Sequence, residues 1–172
     1  IWSKIVSDLS SEDQSFWEGY FFIDGAAPSR QNQMKIMLSI HPSASTDSMA
    51  MANPDSLFHQ QRWNGYGLMI GETGDDYLHL VRWDSSSHQI LGTHPLLLRK
   101  STWYHFRVVT NAHGLWNLRV EEGYPTTLDY LQTPGVELFD ERYPIFGDHH
   151  YAGLFITHSA TRGNNFFFDF KL

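Results

Sequence analysis

The segment GYGLMIGETGDDYLHLVRW places three carboxylates, Glu72, Asp75 and Asp76, within five residues. Paired carboxylates could act as acid and nucleophile in glycoside hydrolysis, or they could hold a calcium ion together with backbone carbonyls. They could also form only the polar tip of a β-hairpin. Gly71 and Gly74 tolerate the positive φ of a chain reversal, and Asp accepts hydrogen bonds from nearby backbone N–H groups. We favour the hairpin tip and keep calcium binding and catalysis as alternatives.

A second kind of chemistry is suggested by the six tryptophans of the chain. The apolar faces of sugar rings stack on Trp and Tyr, while Arg, Asp, Asn and His fix the sugar hydroxyls. Trp63 lies at the end of a long polar segment, and Trp83 follows Arg82 in a strand-like run. Our candidate ligand-binding residues are Trp63, His79, Arg82, Trp83 and Arg107. The alternative is that His and Arg only solvate a mixed sheet face.

These side chains would be positioned by β-strands, which the pattern predicts along the whole chain. Short aromatic or β-branched runs are bounded by Gly, Pro, Asn, Asp or Ser, and no long stretch keeps a helical period. Ten strands are predicted, at 1–7, 16–24, 33–41, 66–71, 77–83, 89–94, 103–110, 115–121, 151–158 and 165–172. Strands at this spacing predict a single all-β domain over 1–172, either a two-sheet sandwich or a barrel.

Alternation along a strand assigns its side chains to two faces. In YLHLVRW, His79 and Trp83 share a face with Tyr77 and Val81, and Arg82 lies on the opposite face. In WYHFRVV, one face carries Trp103, His105 and Arg107, and the other carries Tyr104, Phe106 and Val108. Several polar candidates therefore stand on sheet faces rather than in loops.

Two segments interrupt the strand pattern. Residues 43–64 are rich in Ser, Ala, Met and Asn, and they are too many for a plain hairpin connection. Residues 122–148 contain three prolines, and we interpret them as a long crossover with an edge strand near VELF. We expect residues 43–64 and, within the second segment, residues 126–148 to carry any specificity that belongs to this chain.

The composition limits the classes of partner. A net charge of −7 and a pI of about 5.7 leave no basic field for a phosphate backbone, so we expect no nucleic-acid partner. The absence of cysteine excludes disulfides, thiolate metal sites and cysteine nucleophiles. No apolar run approaches the length of about 18 residues that spans a bilayer, so we expect no membrane insertion by this domain. The start, IWSKIVSDLS, lacks the form of a signal peptide, and we interpret the chain as a mature or excised domain.

Two stretches resemble known modules. STWYHFRVVTNAHGLWNLRVEEG resembles the paired strands of laminin-G and concanavalin A-like lectin/glucanase domains. The stretch from GYGLMIGETGDDYLHLVRWD to YAGLFITHSATRGNNFFFDF is similar to a jelly-roll domain of secreted and cell-surface Bacteroidota proteins. The resemblance implies an all-β, two-sheet antiparallel jelly-roll sandwich located outside the cytoplasm. It also implies that Trp103 and Trp116 occupy core positions.

The same resemblance bears on metal binding. VELFDERYPIFGDHHY superficially resembles the metal loop of legume lectins through Asp140, Tyr143, Asp148 and a nearby His, with an ordinary polar crossover as the alternative. The metal candidates are therefore Asp75, Asp76, Asp140 and Asp148. A structural calcium ion is the one cofactor that the sequence leaves open.

The function predicted from these observations is binding rather than catalysis. The glucanases of the resembled superfamily carry their carboxylates on one strand as Glu-x-Asp-x-(x)-Glu, and this chain lacks that spacing. We therefore expect no glycoside hydrolase activity. We predict a non-catalytic module of a secreted or cell-surface bacterial protein, with a glycan as ligand. The alternative is a structural or protein-interaction module, with another cell-surface protein as partner.

Overall fold

The computed structural model of the protein describes residues 2–4, 14–24, 28, 32–42, 63–71, 76–85, 87–124, 133–143, 151–157 and 166–171. These residues form eleven β-strands, and none of them belongs to a helix that could cross a membrane. The strands are β1 (Trp2–Lys4), β2 (Gln14–Ile23), β3 (Gln33–Pro42), β4 (Trp63–Ile70), β5 (His79–Ser85), β6 (Ser87–Thr93), β7 (Thr102–Asn111), β8 (Leu115–Glu122), β9 (Gly135–Phe139), β10 (Tyr151–Thr157) and β11 (Phe166–Lys171). Each of the ten predicted strands matches one of these, and β9 is the edge strand predicted near VELF.

The strands form two antiparallel sheets. The six-stranded sheet has the order β1-β10-β3-β4-β5-β6, and the five-stranded sheet has the order β11-β2-β7-β8-β9. Five pairs of consecutive strands are adjacent and antiparallel, namely β3–β4, β4–β5, β5–β6, β7–β8 and β8–β9. The β1–β10, β2–β7, β3–β10 and β2–β11 pairs join distant parts of the chain. The predicted two-sheet antiparallel jelly-roll sandwich is confirmed.

The core lies between the sheets and follows from strand alternation. Every second side chain of a strand points to the same face, and the more apolar face turns inward. The residues buried there are Trp17, Phe21, Ile23, Met34, Ile36, Leu38, Tyr66, Leu68, Ile70, Leu78, Leu80, Leu98, Tyr104, Phe106, Val108, Trp116, Leu118 and Val120. Burial of a large apolar side chain contributes about 1.5–3 kcal/mol. The core position predicted for Trp116 is confirmed.

The hairpin that contains the three carboxylates has the predicted strand pairing. β4 and β5 are adjacent and antiparallel. Gly71, directly after β4, has a φ of +88°, which glycine adopts readily because it has no Cβ. Glu72, Gly74 and Asp75 lie outside the described residues, so the hairpin-tip interpretation of these positions stays a prediction.

The edge strands β6 and β9 meet where the two sheets approach each other. Gly92 of β6 faces two side chains of β9, Val136 and Leu138. A Cβ at Gly92 would lie 2.7 Å from a methyl carbon of Leu138 and 3.1 Å from one of Val136. The absence of a side chain at Gly92 therefore lets β9 pack against the opposite sheet.

The segment after β9 is anchored to the β7–β8 turn. The backbone N–H of Asp140 donates to the Gly114 carbonyl at 2.9 Å, and the Trp116 indole donates to the Asp140 carbonyl at 3.2 Å. Gly114 has a φ of +77°, and a Cβ there would lie 2.7 Å from the Asp140 carbonyl oxygen. The turn therefore needs glycine for its conformation and for the space that Asp140 occupies.

The side chain of Asp140 connects this turn to the six-stranded sheet. Its carboxylate binds the guanidinium of Arg82 on β5 and accepts a hydrogen bond of 2.6 Å from the Tyr66 hydroxyl on β4. The side chains of Arg82 and Asp140 are only 9% and 11% exposed. Each charge has lost most of its hydration. The Asp140 carboxylate is compensated by Arg82, and the Arg82 guanidinium is compensated by Asp140 and by Asp84 at 3.4 Å. We call the following residues the inter-sheet network: Tyr66, Arg82, Asp84, Asp140 and Tyr143.

The inter-sheet network corrects two predictions made from the sequence. Arg82 was expected to contact ligand, but its guanidinium binds Asp140 and donates to Gln89 at 2.8 Å. Asp140 was expected to be a metal candidate, but its carboxylate is held by Arg82, by Tyr66 and by the backbone N–H of Arg142 at 3.1 Å. The guanidinium of the protein itself supplies the positive charge that a metal ion would supply.

The network also shifts the pKa values of its members. Burial would raise the pKa of Asp84, but the hydrogen bond from Tyr143 and the guanidinium groups of Arg82 and Arg142 outweigh it and lower that pKa below its ordinary value. Burial, followed by the hydrogen bond to Asp140, raises the pKa of Tyr66 well above its ordinary value. Asp84 is thus held ionised and Tyr66 protonated, which are the forms that this hydrogen bonding requires.

We expect the Arg82–Asp140 pair to couple the two sheets energetically. Asp140→Asn leaves the buried Arg82 guanidinium with only Asp84, a partly exposed carboxylate at 3.4 Å, so it should lower the free energy of unfolding by about 3 kcal/mol. Arg82→Met should have a cost of similar size. The Arg82→Met/Asp140→Leu double variant should lose much less than the sum, because no buried charge is left uncompensated. Urea denaturation of the four proteins measures the coupling.

The control for this cycle is Arg142→Met. Arg142 also pairs with a network carboxylate, Asp84 at 3.2 Å, but its side chain is 57% exposed. Its loss should therefore cost less than about 1 kcal/mol. If the double variant loses as much stability as the two single variants together, the buried pair does not hold the sheets together.

The lowered pKa of Asp84 predicts a dependence of stability on acid. A carboxyl whose pKa is lower in the folded state stabilises fully above the ordinary Asp value of about 3.9, and its contribution is lost as pH falls through the lower folded value. The melting temperature of the wild type should therefore fall more steeply below about pH 4 than that of Asp84→Asn. Parallel melting-temperature curves for the two proteins over this range would contradict the prediction.

Candidate functional site

The two tryptophans predicted to form a sugar platform are buried. Trp63 and Trp83 are each 3% exposed, and their ring centroids lie 4.5 Å apart. They belong to a second apolar cluster, on the face of the six-stranded sheet opposite the core: Met37, Ile40, Trp63, Met69, Val81 and Trp83. Gly67 permits this packing, because a Cβ there would lie 2.6 Å from the Trp83 ring. Neither ring offers the open face that sugar stacking requires, so the structure corrects the predicted platform.

The five predicted ligand-binding residues lie in three separate places. His79 is 2% exposed and contacts the Thr93 hydroxyl at 2.9 Å, on the same face as Trp63 and Trp83. Arg82 belongs to the inter-sheet network. Only Arg107 lies on the outer face of the five-stranded sheet. The structure therefore does not assemble these residues into one site.

The outer face of the five-stranded sheet carries the polar and aromatic side chains that alternate with the core residues. We call this surface the open face. It comprises, on β2, β7, β8 and β9, Phe16, Glu18, Tyr20, Phe22, Trp103, His105, Arg107, Val109, Asn111, Leu115, Asn117, Arg119, Glu121, Glu137 and Phe139. Because it lies on paired strands, its side chains have fixed spacings along and across the sheet.

One end of the open face contains a depression of about 240 Å³. Its polar lining includes Asn117, Arg119 and Glu137, and Val109 and Leu115 add apolar surface. Arg119 donates to the Asn117 side-chain oxygen at 3.0 Å, and the Asn117 amide donates to Glu137 at 3.1 Å. The three polar groups therefore hold one another in place before any ligand arrives.

Exposed rings flank this depression on both sides. Phe16 on β2 is 52% exposed and Phe139 on β9 is 63% exposed. Phe16 pairs with Val109, Val109 pairs with Asn117, and Asn117 pairs with Glu137, so all four lie in one row across the sheet. Polar groups and exposed rings are thus presented together over a few strand spacings of about 4.8 Å. The Arg107 guanidinium lies over the Phe16 ring, 4.6 Å from its centroid.

The middle of the open face contains a buried imidazole between two carboxylates. His105 is 1% exposed, and its Nε2 lies 3.0 Å from Glu18, while its Nδ1 lies 3.6 Å from Glu121. Glu18 also pairs with Arg107 at 3.4 Å. Tyr20 stacks on the His105 ring at 4.2 Å. This cluster fixes the central side chains and leaves Arg107 partly exposed.

The other end of the open face carries a second group of rings. Trp103 stacks on Tyr124 with 4.5 Å between centroids, and Tyr124 also meets Tyr20 edge-on at 4.9 Å. Tyr124 is 48% exposed. Trp103 was expected in the core, but it alternates with the buried Tyr104 and therefore points outward, where it is only partly buried. The structure corrects this prediction.

The described residues do not assemble a metal site. No group of three or more His, Asp and Glu within them is arranged to hold an ion. Among the four predicted metal candidates, the Asp140 carboxylate binds Arg82. At Asp76 it is the backbone carbonyl that accepts a hydrogen bond of 2.6 Å, from the Leu98 N–H, so the role of the Asp76 carboxylate stays a prediction. Asp75 and Asp148 lie outside the described residues.

The polar residues of the depression are not among the binding residues predicted from the sequence. A usable signal was present in LWNLRVEE, where Asn117, Arg119 and Glu121 alternate with three apolar residues. The predicted β7–β8 hairpin would have placed this polar series beside Arg107, which is opposite Arg119 in the structure. Glu137 was harder to find, because β9 was predicted only as an edge strand of unknown pairing.

Comparisons with known proteins show similarity of structure only. No protein-family model matches the chain, and no curated protein matches its sequence. Carbohydrate-binding module CBM66 from Bacillus subtilis has a TM-score of 0.48 and 8% identity, over 85% of this chain and 74% of that one. Sheep galectin-11 in complex with glycerol has a TM-score of 0.36 and 8% identity, over 93% and 100%. A native heptameric SAP-like pentraxin from Limulus polyphemus has a TM-score of 0.25 and 13% identity, over 86% and 77%.

Proposed function

We propose that this chain is a non-catalytic glycan-binding module and that it binds sugar at the depression of the open face. The observation that carries the proposal is the combination in one row of fixed hydrogen-bonding groups, Asn117 and Glu137, with the exposed ring of Phe16. Sugar recognition needs both donors and acceptors for hydroxyls and an apolar surface for the C–H face of the ring. Within the described part of the chain, the depression offers both hydrogen-bonding groups and large exposed rings.

The balance of charge on the open face favours a neutral sugar. Glu18, Glu121 and Glu137 contribute negative charge, whereas Arg107 and Arg119 contribute positive charge. The chain as a whole carries a net charge of −7. An anionic ligand would be repelled at long range by this charge. A neutral sugar exchanges hydrogen bonds with carboxylate, amide and guanidinium groups without that cost.

The location and the setting of the module follow from the sequence resemblance. A module of the resembled Bacteroidota type would belong to a secreted or cell-surface protein and would meet glycans outside the cell. We therefore propose an extracellular location, with a glycan as the main partner. Detection of the parent protein at the cell surface by protease shaving of intact cells would test this location.

A second candidate function is docking to another surface protein. It is favoured by three large apolar side chains at one end of the open face, namely Phe16, Leu115 and Phe139, which are 46–63% exposed. Single exposed apolar residues are ordinary, but a group of them marks an interaction surface. The two functions differ in which residues they need, because a protein partner would depend on Phe139 and Leu115 more than on Asn117.

We predict that a glycan array probed with this chain will show binding to neutral glycans. Asn117→Ala and Glu137→Gln should each weaken that binding about tenfold or more, because each removes a fixed partner of a sugar hydroxyl. Glu122→Gln is the matched control, since Glu122 is an exposed carboxylate at the end of β8 and outside the depression. Absence of binding to every glycan on the array, or an equal loss in the control, would overturn the proposal.

We also predict that the chain does not cleave the glycans that it binds. The described carboxylates of the open face contact protein groups: Glu18 contacts His105, Glu121 contacts Thr133, and Glu137 contacts Asn117. A retaining glycosidase needs two carboxyls about 5 Å apart on either side of the scissile bond. Release of reducing sugar from a bound polysaccharide, lost on Glu72→Gln or Glu137→Gln, would show that the chain is an enzyme.

A further inference from the structure

The Trp103–Tyr124 ring pair lies on the same face as the depression but at its opposite end. Both places are reached along β7, on which Trp103 and Val109 point outward six residues apart. At a rise of about 3.3 Å per residue, the two places are roughly 20 Å apart. This separation is too long for one sugar ring and suits an extended chain.

A specific backbone turn presents Tyr124 on this face. Gly123, directly after β8, has a φ of +136°, and its N–H donates to the Trp103 carbonyl at 2.9 Å. This turn brings the chain back over β7, so Tyr124 lies on Trp103 instead of continuing along the edge of the sheet. The Tyr124 ring remains 48% exposed although it packs against two other rings. An apolar ring face is therefore offered to solvent at a fixed position.

The surface between the two places is polar and internally hydrogen-bonded. Arg119 donates to the Thr133 carbonyl at 2.8 Å, and the Thr133 hydroxyl donates to Glu121 at 3.2 Å. Glu121 in turn lies beside His105, next to the second ring pair. Gly135 adds no side chain to the row that contains Arg107 and Arg119. The described surface between the depression and Tyr124 is thus polar, and its groups hold one another in place.

We propose that the open face binds a linear neutral polysaccharide lengthwise along β7 and β8, with one sugar in the depression and another stacked on Tyr124 and Trp103. This inference rests on the proposed glycan-binding function and adds the length and orientation of the ligand. A module that recognises only a chain end would need the depression alone. In a lengthwise site, one ligand contacts both the depression and the ring pair. The affinity for the ligand therefore increases once the ligand is long enough to reach both places.

The test compares short and long ligands of the same sugar. Cello-, laminari-, xylo- and manno-oligosaccharides are used as disaccharides and hexasaccharides, and binding is measured by titration calorimetry. For a series that binds, the hexasaccharide should bind the wild type about tenfold more tightly than the disaccharide does. Tyr124→Ala should remove this advantage and leave disaccharide binding unchanged, whereas Asn117→Ala should weaken both ligands. Tyr124→Phe keeps the ring and should behave as the wild type.

A measurement on the wild-type chain keeps the test independent of variant folding. The indole N–H signal of Trp103, assigned in an NMR spectrum by its loss in Trp103→Phe, should shift with the hexasaccharide and not with the disaccharide. Equal affinity for the two lengths, or an unshifted Trp103 signal with bound hexasaccharide, would overturn the lengthwise site alone. Failure of every series here and of every glycan on the array would overturn the proposed function as well.

Discussion

The Arg82–Asp140 ion pair is the contact on which the arrangement of the two sheets depends. Arg82 belongs to β5, which lies next to the edge strand β6 of one sheet, and Asp140 follows the edge strand β9 of the other. Both charges are almost fully removed from water, and this desolvation is unfavourable. An apolar pair of the same volume would avoid the desolvation penalty without loss of stability. The ion pair contributes a defined orientation of the two groups. A guanidinium and a carboxylate fit in few geometries, so the pair fixes where the end of β9 must lie, whereas apolar packing tolerates small displacements.

The same alternation that builds the core also builds the open face. On β8, three apolar side chains fill the space between the sheets, and the three polar ones between them face outward. Strand pairing fixes the position from which each side chain extends, and hydrogen bonds among Arg119, Asn117 and Glu137 restrict the polar series further. Binding groups on such a scaffold need little rearrangement, which lowers the entropic cost of holding a ligand.

How far the sequence predicts this protein depends on the range of the interaction involved. Local signals were sufficient for all ten predicted strands, for the β4–β5 and β7–β8 hairpins and for the division of β5 and β7 into two faces. They were insufficient wherever distant segments meet. The burial of Trp63 and Trp83 depends on packing across the sheet at Gly67, and Arg82 became an ion-pair partner because Asp140 arrives from the other sheet. Of the predicted binding residues, only Arg107 faces the surface now proposed, because face assignment by alternation cannot tell which outer face stays open.

The contact between Gly92 and β9 has a consequence for selectivity. β9 has only five residues and a single pairing partner, so few hydrogen bonds resist a shift of its register. A slip of one residue would exchange its two faces, turning Val136 and Leu138 toward the depression and Glu137 toward the core. The fit of these two apolar side chains against a glycine of the opposite sheet makes that alternative register costly. The side chain that β9 presents on the proposed binding surface is therefore determined by packing on the opposite side of the strand, against a glycine of the other sheet.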